Sequence, residues 1–290
     1  MIKAFKKLFS IVSRLIPDLI YLKLEYYYRT GQKLNLDNPV LFNEKIQWLK
    51  LYNRHPEYSK MADKYEVRKH VVQTIGEKHL IPLYGVWDKF DDIPFDSLPD
   101  QFILKSNHDS GGTLICKNKQ SFDFTKARAI YRKRLARNYY WQHRQWVYKD
   151  IQPRITAEKL MFEEPGMKLN DYKIFCFNGE PKIVQVDFYI DSDKKTNFYS
   201  PEWEYLPFSQ KYPTVPNIEM PKPNSINLMM DFAKKLSNGI PHVRVDLYLI
   251  IDKIYFGELT FYNWAGYERF EPFEWDRLLG DWITLPKNEI

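Results

Sequence analysis

At 290 residues the chain can hold one large domain or two lobes sharing a cleft, and 44% hydrophobic with 17% aromatic residues supplies a sizeable core and excludes global disorder. Its 43 basic and 37 acidic residues leave a net charge of +6, which suits an anionic substrate or a membrane surface. The charge is too dispersed for nucleic acid, with no recognition helix or zinc pattern, and the two cysteines, Cys116 and Cys176, sit in no CxxC, so reduced thiols and a cytoplasmic location are expected.

No apolar run reaches the ~18 residues that span a bilayer. At the start of the chain, Phe5, Leu8, Phe9, Val12, Leu15, Ile16 and Leu19 recur at helical spacing, with Lys3, Lys6, Lys7 and Arg14 among them. Arg14 interrupts the apolar stretch and no small-residue cleavage site follows, so 1–40 reads as an amphipathic helical segment, not a signal peptide. Two placements are open for it: docked on the domain, or lying on an anionic membrane surface at the inner face. Residues 22–30 continue the helix to Gly31. The next part, 41–95, reads as a helix at 42–51 with Phe42, Ile46 and Leu49 on one stripe, a helix at 63–74 capped by Asp63, and a strand at 79–84. A turn-rich connector at 91–99 is a candidate lobe boundary before the remaining 96–290.

Residues 101–116, QFILKSNHDSGGTLIC, place Lys105 at the end of a short strand and Ser110-Gly111-Gly112-Thr113 in the turn that follows. Glycines between two strands let the backbone approach a ligand and aim successive N–H groups at it. With Lys105 upstream the fitting guest is a polyphosphate; the competing reading is a plain Gly-Gly hairpin. No GK[ST] follows, which excludes a Walker loop. Residues 124–146 read as a basic, aromatic helix with a solvated face. A strand at 154–161 carries Glu158, and 171–177 and 181–188 form a hairpin about Asn178-Gly179, with Asp171 and Lys173 on one face. Asp191 and Asp193 are either turn chemistry or the acidic pair with which a glycosyltransferase holds a metal diphosphate. A proline-rich excursion at 201–223 precedes a helix at 225–236, with Leu228, Phe232 and Leu236 inward. The six histidines lack metal-ligand spacing.

Residues 243–260, VRVDLYLIIDKIYFGELT, organise the rest. Val243, Val245, Leu247 and Leu249 alternate with Arg244, Asp246 and Tyr248; 250–253 turns, and 254–259 returns. Asp246 and Glu258 then lie on paired strands beside Arg244. Two such carboxylates are costly unless a cation lies between them, and a hard metal ion with oxygen ligands fits that need. The competing reading is a surface hairpin with scattered charge. A short helix at 270–279 closes the chain.

Several separated motifs carry a resemblance: FNEKIQWLKLY at 42–52, ADKYEVR at 62–68, HLIPLYGVWD at 79–88, DYKIFCFNGEPKIVQVD at 171–187 and the Arg244-Val245-Asp246 … Gly257-Glu258-Leu259-Thr260 hairpin. Together they resemble the TupA-like ATP-grasp family over roughly 41–272. The resemblance implies an α+β ATP-grasp fold, two lobes whose antiparallel sheets grip a nucleotide cleft, with a hinge near 156–165. It implies ATP and Mg2+ as cofactors. Lys105 would contact the phosphates under the backbone of Ser110, Gly111, Gly112 and Thr113, and Lys64 would approach them. Glu158, Lys159 and Leu160 would line the adenine pocket, Glu163 or Glu164 the ribose. Asp171 and Lys173 would face nucleotide and acceptor, Asp246 and Glu258 would hold magnesium, and Arg244 would stabilise the transferred group. The usual hairpin of the wider ATP-grasp superfamily carries asparagine two residues after the glutamate, as a further metal ligand; here Thr260 stands there, with Asn263 three further on, and either could take its place. The implied activity is a carboxylate–amine ligase of capsular or teichuronic-type polysaccharide synthesis, working through an acyl phosphate. Its partners would be a uronic-acid glycan or lipid-linked precursor and an amino acid or amine. The rivals are a glycosyltransferase and a non-catalytic nucleotide-binding protein.

Overall fold

The computed structural model describes residues 13–161, 171–218 and 220–287, so the first part of the expected amphipathic segment, 1–12, and Glu163 and Glu164 lie outside the described residues. The smaller of two antiparallel sheets joins β1 (Leu83–Trp87), β2 (Phe102–Ser106), β3 (Thr113–Cys116) and β4 (Ile155–Lys159) in the order β1-β4-β2-β3. The larger joins β5 (Asp171–Phe177), β6 (Glu180–Ile190), β7 (Asp193–Tyr199), β8 (His242–Ile250) and β9 (Lys253–Thr260) in the order β7-β6-β5-β8-β9. Helices α1 (Asp18–Thr30), α2 (Phe42–Tyr52), α3 (Pro56–Ala62), α4 (Val67–Thr74), α5 (Phe124–Leu135), α6 (Ile226–Leu236) and α7 (Glu274–Asp281) pack around them, giving the expected α+β class. Among the described residues no helix is long and apolar enough to cross a membrane. Cys116 and Cys176 are free thiols, both buried.

Alternation decides the two faces of the smaller sheet. Phe102, Leu104, Ile155 and Ala157 bury against Ala127 and Tyr131 of α5 and against Phe90, Ile93 and Leu98. Ile103 stands opposite Glu158 and Lys105 opposite Thr156, so these four share the other face. The connector at 91–99 therefore belongs inside this lobe: Ile93 and Leu98 anchor its core, and β1 before it is a strand of the same sheet. On the larger sheet Ile174, Cys176, Val184, Val186, Val243 and Val245 form the apolar face, in one core with Met229, Phe232 and Leu236 of α6.

Helix α2 is the stitch between core and site. Its apolar stripe, Phe42, Ile46 and Leu49, is buried as expected, and its polar residues are tethers. Asn43 donates from its backbone and side chain to the Asp276 carboxylate at 3.0 and 3.1 Å. Lys45 Nζ donates to the carbonyls of Gly280 and Ile283, both at 2.8 Å. Gln47 Nε2 donates to those of Ala265 and Gly266 at 3.0 and 2.7 Å. Lys50, with no exposed surface, donates to Gln47 Oε1 (2.8 Å), Ala265 O (2.7 Å) and His143 O (3.1 Å). An ammonium has three donors, and all three are used.

The helix read at 270–279 is Glu274–Asp281, and four other sequence-based readings shift. The helix read at 63–74 begins at Val67, because Asp63 accepts from the Tyr65 and Glu66 N–H groups (2.7 and 3.3 Å) and closes α3 off from α4. The strand read at 79–84 is Leu83–Trp87, since Glu77–His79 forms a 3-10 turn. The helix read at 124–146 stops at Leu135; beyond it the chain buries Tyr139 and Tyr140 in a 3-10 turn, and His143 and Arg144 adopt φ of 67° and 51°. Leu228 faces solvent, because the phase of α6 buries Ile226, Met229, Phe232, Ala233 and Leu236.

Gly280 of α7 meets the lead-in to α2. A Cβ there would lie 2.1 Å from Val40 O and 2.8 Å from Phe42 N, both backbone atoms that cannot rotate away. Gly280→Ala is expected to lower stability by about 3 kcal/mol. Urea unfolding checks it, and an unchanged midpoint would show that the α2–α7 contact gives way.

Candidate active site

The β8–β9 hairpin turns on Ile251 and Asp252, both left-handed at φ 47° and 59°, the pattern of a type I′ turn. That turn sets Leu247 opposite Phe256 and Tyr248 opposite Tyr255. Carried on unbroken, the register would bring Gly257 opposite Asp246 and turn Glu258 to the far face. A bulge between these pairs instead places Asp246 opposite Glu258 and Arg244 opposite Thr260. Glycine suits the position: a Cβ on Gly257 would come 3.0 Å from Asp246 O and 3.1 Å from Tyr248 Cε2.

The row continues sideways. Lys173 stands opposite Asp246 and Gln185 opposite Lys173, so Glu258, Asp246, Lys173 and Gln185 cross four strands on one face. Arg244 grips Asp246 with two bonds of 2.7 Å, donates to Asn263 Oδ1 at 2.7 Å and to Thr260 Oγ1 at 3.2 Å, and lies 3.8 Å from Glu258. Burial pushes Asp246 up to about 6, against the pull of Arg244 and Lys173. Burial acts the same way on Glu258, but Lys64 and Arg244 outweigh it and hold that carboxyl below its usual range. Burial would depress Lys173, yet Asp246, Asp171 and Asp187 raise it overall. Lys173 reaches Asp171 at 2.9 Å and Asp187 at 2.7 Å; Lys194 also reaches Asp187 at 2.7 Å.

The smaller lobe supplies the opposite wall. Its 107–112 loop is tied at both ends by side chains: Asn107 is buried and joins Asp63 and Gln152 O (both 2.9 Å) to the Arg154 N–H (2.6 Å). Arg134 holds Asp109 at 2.5 Å and Gly111 O at 2.6 Å, and Ser106 donates to Asp109. Gly111 is left-handed at φ 73°, and a Cβ on Gly112 would fall 1.7 Å from Ser106 Oγ. Lys64 bridges the lobes, donating to Asp109 O at 2.6 Å and lying 3.7 Å from Glu258. Between the walls is a cavity of about 440 Å³ lined by Lys64, Ser110, Lys173, Arg244, Glu258 and Thr260, with Tyr139, Tyr148, Tyr262 and Tyr267 around them.

The sequence-predicted residues thus fall into two groups. Ser110, Lys173, Arg244, Glu258 and Thr260 meet at the cavity, with Asp246 buried beneath Arg244. Lys105 is instead paired with Glu158 at 2.6 Å, beside Arg68 at 3.9 Å from the same carboxylate. With Ile103 they form the cleft face of the smaller sheet, while Lys159 is exposed and Leu160 buried. Gly111, Gly112, Thr113 and Asp171 are not cavity walls. The groups converge at Tyr248, whose hydroxyl is raised by burial and then by Asp171, Glu258, Asp246 and Glu158, carboxylates from both sheets. Asn263, the alternative metal ligand, is fully buried between Arg244 and Gln210, so its amide is committed; Thr260 donates to Glu258 at 3.1 Å. Asp191 and Ser192 are the left-handed turn joining β6 to β7, at φ 48° and 71°. Sequence reasoning passed over Gln185, Asp187 and Lys194. The signal for the first two was alternation: both interrupt the apolar run of β6 on the face of Lys173.

Among the described residues no group of three or more His, Cys, Asp or Glu side chains forms a metal site by itself. Two hard carboxylates beside Lys64, Lys173 and Arg244 nevertheless fit a divalent ion that takes its remaining oxygens from a polyphosphate.

The TupA-like ATPgrasp family matches residues 44–284. No curated protein matches the chain. Among solved structures, a D-alanine–D-alanine ligase from Bacillus anthracis is 17% identical, with 69% of this chain and 56% of that one covered and a TM-score of 0.39. The Helicobacter pylori D-alanine–D-alanine ligase is 15% identical over 83% and 69%, with a TM-score of 0.42. A RimK domain ATP-grasp protein from Sphaerobacter thermophilus is 10% identical over 80% and 70%, with a TM-score of 0.43. The chain spans little more than half the length of the first of these structures. Likeness this loose carries no further argument.

Burial raises Asp187, but Lys173, Lys194 and Gln185 reverse this and hold its carboxyl far below the usual range. A carboxyl lowered on folding stabilises the protein above its unfolded pKa, about 3.9, and that contribution is lost as pH falls below it. Asp187→Asn is expected to flatten the acid limb of the stability profile below about pH 4, read by urea unfolding across pH. An unchanged limb would mean Asp187 titrates normally.

Proposed function

Since the chain belongs to the TupA-like ATP-grasp family, we propose that it is an ATP- and Mg2+-dependent carboxylate–amine ligase acting on a uronic-acid glycan of the cell surface. The observation that carries this reading is the lateral row of Glu258, Asp246 and Lys173 beside Arg244, facing Lys64 and Ser110 across one polar cavity. When bound, ATP with its magnesium ion supplies the phosphoryl group that activates an acceptor carboxylate for attack by an amine, leaving an amide and phosphate. Asp246 and Glu258 are the residues that would hold the metal.

The chain's own residues do the positioning. Arg244 is fixed by Asp246, Asn263 and Thr260, so its charge needs no reorganisation as negative charge shifts between oxygens. Lys173 is kept protonated by three carboxylates and can orient an anionic acceptor. Lys64 adds positive charge where the two lobes meet. Tyr139, Tyr148, Tyr262 and Tyr267 exclude water that would otherwise hydrolyse an activated acyl group. No nucleophilic side chain is required. The polysaccharide setting, the amine and a cytoplasmic site of action belong to this proposal.

The test incubates the protein with Mg-ATP, a panel of uronic acids and a panel of amines, following ADP and product mass. Gain of an amine minus water, with stoichiometric ADP, is expected. Asp246→Asn and Glu258→Gln should each lower turnover at least about 100-fold. Asp191→Asn and Asp193→Asn should leave it unchanged. UDP release from a sugar nucleotide without ATP would replace this reading with a glycosyltransferase, and ATP binding without ADP formation would leave a non-catalytic binder.

A further inference from the structure

Beyond Arg29, Tyr267 and Glu268, which line both, the site cavity adjoins a second one of about 750 Å³. Its outer wall is a strap at 209–214. Ser209 pairs with Glu271 by two backbone bonds, 2.8 and 3.1 Å, and Lys211 is left-handed at φ 66°. The strap is also tied to the reaction site. Buried Gln210 donates to Glu268 O at 3.2 Å and accepts from Asn263 at 2.8 Å, and Asn263 accepts from Arg244 at 2.7 Å. One chain of polar side chains thus runs from the groove to the guanidinium beside Asp246.

The junction of the two cavities has mixed chemistry. The Tyr212 and Trp264 rings lie 5.9 Å apart, with Lys194 over Tyr212 at 4.4 Å and Lys211 over Trp264 at 5.8 Å. Trp264 and Ala265 hold φ of 48° and 55°, and the Lys50 and Gln47 tethers to Ala265 O keep them there. Non-glycine residues in that region store strain, which persists only where the surroundings over-determine it. Aromatic faces suit the C–H faces of sugar rings, Arg29 and Arg269 suit carboxylates, and Ser209, Thr214, Glu271 and the Lys211–Glu268 pair, 2.8 Å apart, suit hydroxyls. A purely apolar chain would leave these polar groups unsatisfied.

We propose that this groove is an acceptor subsite that binds acidic sugar units beyond the one that reacts, so that the substrate is an oligomeric or polymeric uronate. The inference rests on the ligase reading for the identity of the reacting unit. It also gives the strap a role: residues 209–214 hold the glycan while Gln210 and Asn263 keep Arg244 in register with it.

Calorimetric titration of the full chain with D-galacturonate, tetragalacturonate and maltotetraose tests the subsite. Tetragalacturonate should bind at least about 10-fold more tightly than the monomer, a 1.4 kcal/mol advantage. Lys211→Ala combined with Tyr212→Ala should abolish that advantage, with ADP affinity reporting that the variant is folded. Equal affinity for monomer and tetramer, or an advantage that survives the double variant, overturns the subsite. Maltotetraose binding as tightly as the acidic tetramer overturns the acidic assignment. These titrations need no turnover: length-dependent binding with no ADP release from any acceptor would sink the ligase reading and leave the subsite standing.

Discussion

A guanidinium buried on a sheet needs partners for its donors, and Arg244 makes four bonds, to its neighbours on the larger sheet and to the turn that follows β9. Two bonds go to Asp246, one to Asn263 and one to Thr260. Removing one partner of such a buried pair costs about 3–5 kcal/mol, because the other charge is left stranded. The pair is therefore poorly explained as a device for stability, since well-packed apolar residues would serve as well or better. It makes sense as a preset charge: Lys173 on one side and Glu258 on the other depend on where Arg244 and Asp246 stand.

The surroundings of that charge are built from parts far apart in the chain. Tethers from α2 fix the left-handed turn at 264–266 and the carbonyl of His143, which bring Trp264, Tyr267 and Gln145 to the cavity. Helix α1 adds Arg29, held by Glu25 at 3.0 Å; Glu25 also accepts from Tyr267 at 3.1 Å and pairs with His143 at 2.6 Å. The outer face of α1 is unlike its inner one: Ile20, Leu24, Tyr27 and Tyr28 are exposed, while Leu22 and Tyr26 are buried. A single helix thus meets solvent with apolar groups and meets the site with charge.

Much of this was legible in the sequence where local chemistry sets structure. The Asn178-Gly179 turn, the alternation of β8, the stripe of α2 and the Gly31 stop all follow from backbone preferences over a few residues. What was not legible depends on long-range partners. Lys105 reads as a free strand-end cation, but its ammonium is taken by Glu158, 53 residues away. Asn43, Gln47 and Lys50 look like the solvated side of an amphipathic helix, and their carbonyl partners lie more than 200 residues on in all but one case.

Facing carboxylates on β8 and β9 were expected from spacing alone, yet a two-residue turn by itself would have separated them. The single extra backbone unit at Gly257 corrects the parity. Hairpin tips of about three to five residues close the same strand pairs as two-residue ones. The Ile251-Asp252 tip can therefore vary while the bulge keeps Glu258 and Thr260 on the cleft side of β9 and Leu259 in the core.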